Sequence, residues 1–239
     1  MLFKIGRKLS TSGAITSIYE IYNPPIAIKI LFFVIGFNIN DKKINSSLSA
    51  GAKLCNALQE MGTTFIKLGQ FLATRPDIIG ENVSKELEKL QDKLPAFNLI
   101  VARNILKKEL GKENFEQFTN ISEPAAAASI AQVHFANINI SGKKKDVAIK
   151  ILRPDIENIF NEELDALMLL AYIAQSIVKK TKRLKLVEVV QLLREITNVE
   201  MDLRFEAAAA NELYENTKND IGFKVPNIYW NQTSKRVLC

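Results

Sequence analysis

The sequence is poor in the residues that build metal centres, disulfide frameworks and membrane spans. Its single histidine excludes a zinc or di-iron site with several histidine ligands, and its two cysteines, Cys55 and Cys239, cannot form a disulfide framework, which favours a reducing compartment. The most apolar stretch, residues 26–37, is interrupted by Lys29 and is shorter than the roughly 20 residues that cross a bilayer. No small-residue cleavage site follows it. We therefore expect a cytoplasmic protein that is not secreted.

The composition is that of a globular protein with a basic bias. The 239 residues are 47% hydrophobic and 24% charged, which excludes collagen-like, low-complexity and charge-rich disordered chains. The length fits one large or two small domains. Residues 1–45 hold six Lys and Arg against two acidic residues, so +4 of the net charge of +6 lies at the amino end. This favours acidic partners such as phosphate or anionic lipid. We expect no nucleic-acid partner.

Two interpretations of the basic and apolar segment 1–44 stay open. It is a helix that packs on the protein's own core, or a helix that lies on a membrane surface. The second would make the protein peripheral on the inner face of the membrane.

Helical spacing of apolar residues dominates the first half of the remaining chain. It runs through residues 44–73, 83–90 and 98–110, and Gly111 is expected to end the last of these helices. Two long helices are predicted later, at about 156–179 and 187–217.

A period of two residues replaces the helical period after residue 131. Val133 and Phe135 lie two residues apart, as do Ile138 and Ile140, and residues 147–152 form an apolar run, so the pattern predicts a β-hairpin with residues 141–145 as its turn and solvated loop. Two further strands are predicted at 228–230 and 237–238. The fold class is therefore α+β.

Lys150 lies in a strand that otherwise consists of apolar residues. A buried lysine needs a carboxylate partner, and in a nucleotide site it would also contact phosphates. An edge-strand lysine that reaches solvent is the alternative.

The predicted helix 187–217 carries acidic residues along one side. Glu195, Val199, Asp202 and Glu206 are spaced by four, three and four residues and share a face, while Glu200 points away from Asp202 on a straight helix. A plain solvated face is the alternative interpretation.

Two further motifs are weak alone. Lys67 and Gln70 stand three apart beside Gly69, which fits either a site or a surface lysine next to a packing glycine. The alanine run 125–128 precedes the hairpin where a phosphate loop would normally contain glycine, and the chain has no glycine-rich loop of either common type.

Taken in order, these motifs resemble the UbiB family of atypical, protein-kinase-like proteins, which serve ubiquinone (coenzyme Q) biosynthesis. The resemblance covers roughly residues 45–239 and rests on five ordered motifs: Lys67-Leu68-Gly69-Gln70, Thr74-Arg75-Pro76-Asp77, Glu123-Pro124-Ala125-Ala126-Ala127-Ala128-Ser129-Ile130-Ala131-Gln132-Val133-His134, Val147-Ala148-Ile149-Lys150 and Glu200-Met201-Asp202-Leu203-Arg204-Phe205-Glu206-Ala207.

The resemblance implies a division of the chain. Residues 1–44 would be a basic, apolar segment, 45–118 a helical extension with the Lys-x-Gly-Gln motif, and 119–239 a kinase-like small lobe with a small antiparallel sheet and long helices.

The resemblance also implies roles for individual residues. Lys150 would contact the ATP phosphates and Glu206 would be its ion-pair partner. The remaining nucleotide contacts would come from Ala148 and the alanine-rich loop: Ala125, Ala126, Ala127, Ala128 and Ser129. The regulatory residues of the extension and its acidic partners would be Lys67, Gln70, Arg75, Asp77, Glu200 and Asp202.

The motifs of the large lobe do not occur in the sequence. Phosphoryl transfer needs a catalytic-loop Asp, an Asn and an Asp-Phe-Gly-type metal ligand. We therefore expect no catalytic or metal-binding residue in this chain, with ATP and Mg²⁺ as cofactors whose metal ligands lie in the missing lobe. Alone, the chain is expected to bind ATP weakly and not to hydrolyse it.

Two functions follow as alternatives. The chain is the amino-terminal part of a UbiB-like ATPase at the membrane, completed by a second polypeptide or a longer gene product. Otherwise it is a non-catalytic module that binds a partner, a lipid or membrane surface, or proteins of quinone synthesis.

Overall fold

The computed structural model describes residues 48–90, 94–140, 142–177 and 184–239. The segment 1–44, with its membrane hypothesis, therefore lies outside the described residues. The described residues form helices and one small antiparallel sheet, which confirms the α+β prediction. Their helices are α1 (Ala50–Met61), α2 (Thr63–Ala73), α3 (Pro76–Ile79), α4 (Glu81–Leu87), α5 (Leu99–Glu116), α6 (Ile156–Ile177), α7 (Leu186–Glu200) and α8 (Leu203–Thr217), with a short 3-10 helix at Trp230–Gln232.

The sheet is built on the long hairpin of the central strands. Its strands are β1 (Phe118–Thr119), β2 (Pro124–Ala127), β3 (Ala131–Ile140), β4 (Lys143–Leu152) and β5 (Val237–Leu238). Their order is β1-β3-β4-β5, and β2 also pairs with β3. The predicted hairpin is present, but 143–145 belong to β4 rather than to a loop.

The chain forms two compact units. The first contains the described residues of Met1–Asp92 and Glu157–Arg194, and the second those of Lys93–Ile156 and Glu195–Cys239. These two units do not coincide with the predicted domains 45–118 and 119–239. Those domain limits stay a prediction.

The core of the first unit lies between α1, α2 and α4. Leu58 and Met61 of α1 pack with Phe65 of α2 and Leu87 of α4, and Ala166 of α6 belongs to the same cluster. Ser49 caps α1, since its Oγ accepts a hydrogen bond from the Ala52 amide at 3.2 Å.

The core of the second unit lies between α5 and one face of the sheet. Ala102 and Leu106 of α5 are fully buried, as are Ile138, Ile149 and Ile151 of the hairpin. Because side chains alternate along a strand, the other face of β3 and β4 carries Val133, Phe135, Ala148 and Lys150; we call it the exposed face.

The long helix predicted near the carboxyl end differs from the structure. The predicted helix 187–217 is two helices, because Met201 and Asp202 leave the helix and Asp202 takes an extended conformation with φ −122° and ψ 94°. Glu195, Val199, Asp202 and Glu206 therefore do not share the face of one straight helix.

The helix predicted over 98–110 ends its regular course at Gly111, as expected. Helix α5 as a whole runs to Glu116, but it consists of two helical segments that meet at Gly111, whose backbone is non-helical with φ 74° and ψ 171°. Glycine tolerates this positive φ, which ends the first segment.

The predicted strand at 228–230 is also wrong, because the 3-10 helix begins at Trp230 and residues 228 and 229 join no strand.

Candidate functional site

The centre of the candidate site is an ion pair between β4 and α8. Lys150 Nζ donates to both carboxylate oxygens of Glu206, at 2.9 and 2.7 Å. The side chains are 31% and 50% exposed, so the pair faces solvent and is accessible to a ligand.

The position of Glu206 follows from how α8 begins. The Leu203 amide donates to the Lys235 carbonyl at 2.9 Å, which holds the first turn of α8 against the chain leading into β5. Leu203 and Ala207 are buried beside that turn, so Glu206 is left on the exposed side. β5 in turn pairs with β4, where Leu238 lies opposite Lys150. The two charged residues meet because β5 joins their elements.

The exposed face provides apolar surface beside the ion pair. Phe135 lies directly across from Ala148, and this pair is two residues along the hairpin from the pair of Val133 and Lys150. Phe135 is 62% exposed. A groove of about 440 Å³ is lined by Asn120, which lies between β1 and β2, and by residues of the hairpin: Phe135, Ala136, Asn137, Asp146, Val147 and Ala148.

The alanine-rich segment is a strand rather than the predicted loop. Residues 124–127 form β2, with a register irregularity between Pro124 and Ala126. Ala126 pairs with Val133, which pairs with Lys150, so these residues lie in one row across the sheet. Ala125 and Ala126 are exposed, and Ser129 is fully buried at the turn into β3.

Asp202 and Glu200 flank the break between α7 and α8. Asp202 caps α8 by accepting from the Arg204 amide at 3.1 Å, and it also binds the Arg204 guanidinium at 2.9 and 2.6 Å. The hydrogen bonds from Arg204 hold the pKa of Asp202 below its usual range, although burial acts in the opposite direction. Lys67 and Gln70 lie on α2 of the first unit and Glu200 and Asp202 belong to the second, so their pairing stays a prediction.

Gly69 of the Lys-x-Gly-Gln motif is a packing residue of the first unit. A Cβ at this position would overlap Leu90 Cδ1 and would lie 2.9 Å from Leu58 Cδ1. Helix α2 therefore approaches its neighbours closely at the motif, while the flanking Lys67 and Gln70 stay partly exposed.

Arg75 and Asp77 form a second local ion pair in the first unit. Arg75 Nε and Nη2 donate to the two carboxylate oxygens of Asp77 at 2.9 and 2.7 Å, and this keeps the pKa of Asp77 lowered. The pair lines a groove of about 300 Å³ together with Lys185 and Glu188.

Sequence reasoning missed three residues around the site. Phe135 was part of the hairpin pattern, and only the register with β4 places it opposite Ala148. Gln132 links the Phe97 backbone to His134: its Nε2 lies 3.0 Å from the Phe97 carbonyl and 2.8 Å from His134 Nε2. Arg153 follows directly after β4, and no local pattern in the sequence indicates its contacts.

The part of the chain that the structure describes holds no cluster of metal ligands and no helix able to span a membrane. Within 48–90, 94–140, 142–177 and 184–239, no three His, Cys, Asp or Glu side chains are grouped so that they could hold a metal ion. Across those same ranges, none of the helices has both the length and the apolar character needed to cross a bilayer.

Comparison with known proteins identifies relatives over most of the chain. The family described as ABC1 atypical kinase-like domain matches residues 89–239. A protein named "Probable protein kinase UbiB" from Marinobacter nauticus is 37% identical over 215 residues, which are 90% of this chain and 38% of that protein. Proteins of the same name from Pseudomonas fluorescens and Azotobacter vinelandii are 36% and 37% identical over 80% and 76% of this chain.

The chain spans little more than a third of the length of these curated relatives, at 34% to 38%. The resemblance to UbiB proteins inferred from the five motifs is confirmed. The chain belongs to the ABC1 atypical kinase-like family.

Proposed function

We propose that this chain is the nucleotide-contacting part of a UbiB-like atypical kinase or ATPase that supports ubiquinone biosynthesis at the membrane. The observation that supports the proposal most is the Lys150–Glu206 ion pair on the exposed face, in one row with Ala126 of the alanine-rich strand.

The residues of the exposed face suit the two chemical parts of ATP. An ammonium group has three donors, so Lys150, which uses two of them on Glu206, keeps one for a phosphate oxygen, as the strand lysine of kinases does. Phe135 and Ala148 offer apolar area for a planar base. In this arrangement β2 and the turn after it, which together hold Ala125 to Ala128 and Ser129, border the phosphates, and Glu206 orients Lys150.

Mg²⁺ would accompany the nucleotide in this proposal. Magnesium in such sites is bound through one or two carboxylates and the substrate phosphates, with several waters retained. We expect its protein ligands in a large lobe, supplied by a longer gene product or a second polypeptide.

The regulatory role inferred for the helical extension is part of the same proposal. Lys67, Gln70, Arg75, Asp77, Glu200 and Asp202 would control access to the nucleotide site. The bidentate Arg75–Asp77 pair supports a structural contribution of these two residues to that extension.

The decisive experiment measures ATP affinity with and without the strand lysine. The full chain is titrated with ATP and Mg²⁺ by calorimetry, alone and with a polypeptide that carries a kinase-like large lobe. Lys150→Ala should abolish binding, whereas Lys144→Ala, on the same strand and face, should not change it. Equal affinity of the Lys150→Ala chain and the wild type would reject the proposal.

Membrane association is a separate part of the proposal and has its own test. The charge of +4 in residues 1–45 favours binding to vesicles that contain phosphatidylglycerol. A chain that starts at residue 46 should partition less to these vesicles, and equal partitioning would contradict this role.

A further inference from the structure

The turn that follows the alanine-rich strand is held by one arginine. Arg153 Nε and Nη2 both donate to the Ala128 carbonyl, at 3.0 and 2.7 Å. The Arg153 amide donates to the Ile130 carbonyl at 2.9 Å. Arg153 therefore binds both ends of the turn at 128–130: its side chain binds the Ala128 carbonyl and its backbone amide binds the Ile130 carbonyl.

The same guanidinium binds a second segment of backbone. We call residues 94–97 the strap, which lies directly before α5 in the sequence. Arg153 Nη1 donates to the Pro95 carbonyl at 2.9 Å and Nη2 to the Leu94 carbonyl at 3.3 Å. The guanidinium carbon also lies 6.0 Å from the centre of the Phe97 ring.

Gln132 makes a second, independent connection between the strap and the sheet. Its Oε1 accepts from the Phe97 amide at 2.8 Å and its Nε2 donates to the Phe97 carbonyl at 3.0 Å. Gln132 is a fully buried residue of β3, so its two hydrogen bonds hold Phe97, the last residue of the strap, against the sheet.

Arg153 is itself held in place from the other side. Arg236 Nη2 donates to the Arg153 carbonyl at 2.7 Å, and the Leu152 amide donates to the Arg236 carbonyl at 3.0 Å. The guanidinium thus projects from a backbone that is fixed on both sides.

The alanine-rich strand needs such a support for physical reasons. β2 has four residues and, among the described strands, pairs with β3 alone. Exposed alanines bury little apolar area, so side-chain packing contributes little to its position. A planar guanidinium with five donors can bind several carbonyls at once, which a lysine cannot do in this geometry.

We propose that Arg153 is the positioning residue of the alanine-rich segment: it ties the Ala128 carbonyl to the strap and thereby fixes β2 beside the row that contains Lys150. The consequence for nucleotide affinity rests on the proposed function, whereas the effect on the segment itself does not.

The first test is hydrogen–deuterium exchange of the full chain without nucleotide. Arg153→Lys keeps the positive charge but loses the planar guanidinium that binds several carbonyls. Arg103→Lys, at an exposed position of α5, is the matched control. Amides of residues 125–130 should exchange at least about tenfold faster in Arg153→Lys, because charged hydrogen bonds to the turn are lost. Exchange in β3 and β4 should match the wild type.

Two outcomes of this test would overturn the inference. Unchanged exchange at 125–130 would show that Arg153 does not hold the segment. Equal acceleration throughout β3 and β4 would show that it acts on global stability instead.

The second test measures ATP affinity of the same variants by calorimetry, under the conditions in which the wild type binds. Arg153→Lys should bind about tenfold more weakly and Arg103→Lys as the wild type does. If the wild type does not bind ATP, the proposed function fails while the exchange result still decides the role of Arg153. If Arg153→Lys binds ATP as tightly as the wild type, the positioning role in nucleotide binding is rejected.

Discussion

Lys150 and Glu206 are 56 residues apart in the sequence, yet the lysine amine lies within 2.9 Å of both carboxylate oxygens. Neither side chain is deeply buried. An ion pair between partly exposed groups contributes little to folding, since water screens the attraction and ordering two long side chains costs entropy. The pair therefore matters more for the placement of the ammonium group than for stability.

Replacing the glutamate should accordingly change stability little. Glu206→Gln should alter the free energy of unfolding by less than about 1 kcal/mol, as measured by urea denaturation. Glu212→Gln, an exposed position of the same helix, is the control. A loss above about 2 kcal/mol would contradict the assignment of the pair to an exposed, weakly stabilising position.

Gly69→Ala should destabilise the first unit although alanine favours helices. The added methyl group would overlap Leu90 Cδ1 and press on Leu58, and overpacking of this kind costs about 1–3 kcal/mol. Denaturant melts of Gly69→Ala, Leu90→Ala and the double variant measure the coupling. The double variant should be more stable than the sum of the single changes predicts; simple additivity would show that the two positions do not touch.

Asp202→Ala should cost about 1 kcal/mol, because it removes the cap of α8. Asp202→Asn keeps a capping oxygen and should cost less. Urea denaturation of both variants separates the contribution of the capping hydrogen bond from that of the charge. Equal losses of unfolding free energy in the two variants would mean that the cap contributes nothing.

The stability that Asp202 provides should also depend on pH in a defined direction. Arg204 lowers the pKa of this carboxyl in the folded state, so its contribution is present above the unfolded value of about 3.9 and disappears as the pH falls through the lower folded value. The difference in unfolding free energy between wild type and Asp202→Asn should be constant from about pH 7 to pH 5 and shrink below about pH 4. A difference in unfolding free energy that grows as the pH falls would mean that folding raises the pKa of Asp202 instead of lowering it.

Both thiols should resist modification in the folded protein. Burial raises the pKa of Cys239 to about 12, and burial together with the nearby Glu86 raises the pKa of Cys55. The thiolate is the reactive form, so a disulfide reagent at pH 8 should react slowly with native protein and quickly with both thiols in guanidinium. Reaction of Cys239 in the native state at the rate of free cysteine would contradict its burial.

The sequence carries the information for the hairpin because Val133 and Phe135 recur at a period of two and residues 147–152 form an apolar run. Val133 and Phe135 share one face by that period alone, and Lys150 stands out in the apolar run of β4. The α+β fold follows from the same change of period. Local patterns are sufficient where one face of an element is buried.

Other features depend on contacts that a period does not encode. Alanine has no marked preference for strands, so β2 was predicted as a loop although it pairs with β3. The helical spacing predicts one continuous helix across residues 201–202. The structure has two, because Asp202 caps a new helix by accepting a hydrogen bond from the Arg204 amide. Arg153 acts on carbonyls 25, 58 and 59 residues away, and such long-range partners leave no local signature.

The row Ala126, Val133, Lys150 and Leu238 makes the candidate site sensitive to strand alignment. Slipping β4 by one residue would turn Lys150 toward the core and bring Ile149 and Ile151 out into water, since neighbouring residues of a strand face opposite ways. The hydrophobic core and the position of the ammonium group are thus selected by one and the same alignment. A single-residue insertion within β4 would remove the lysine from its row without altering any residue of the site.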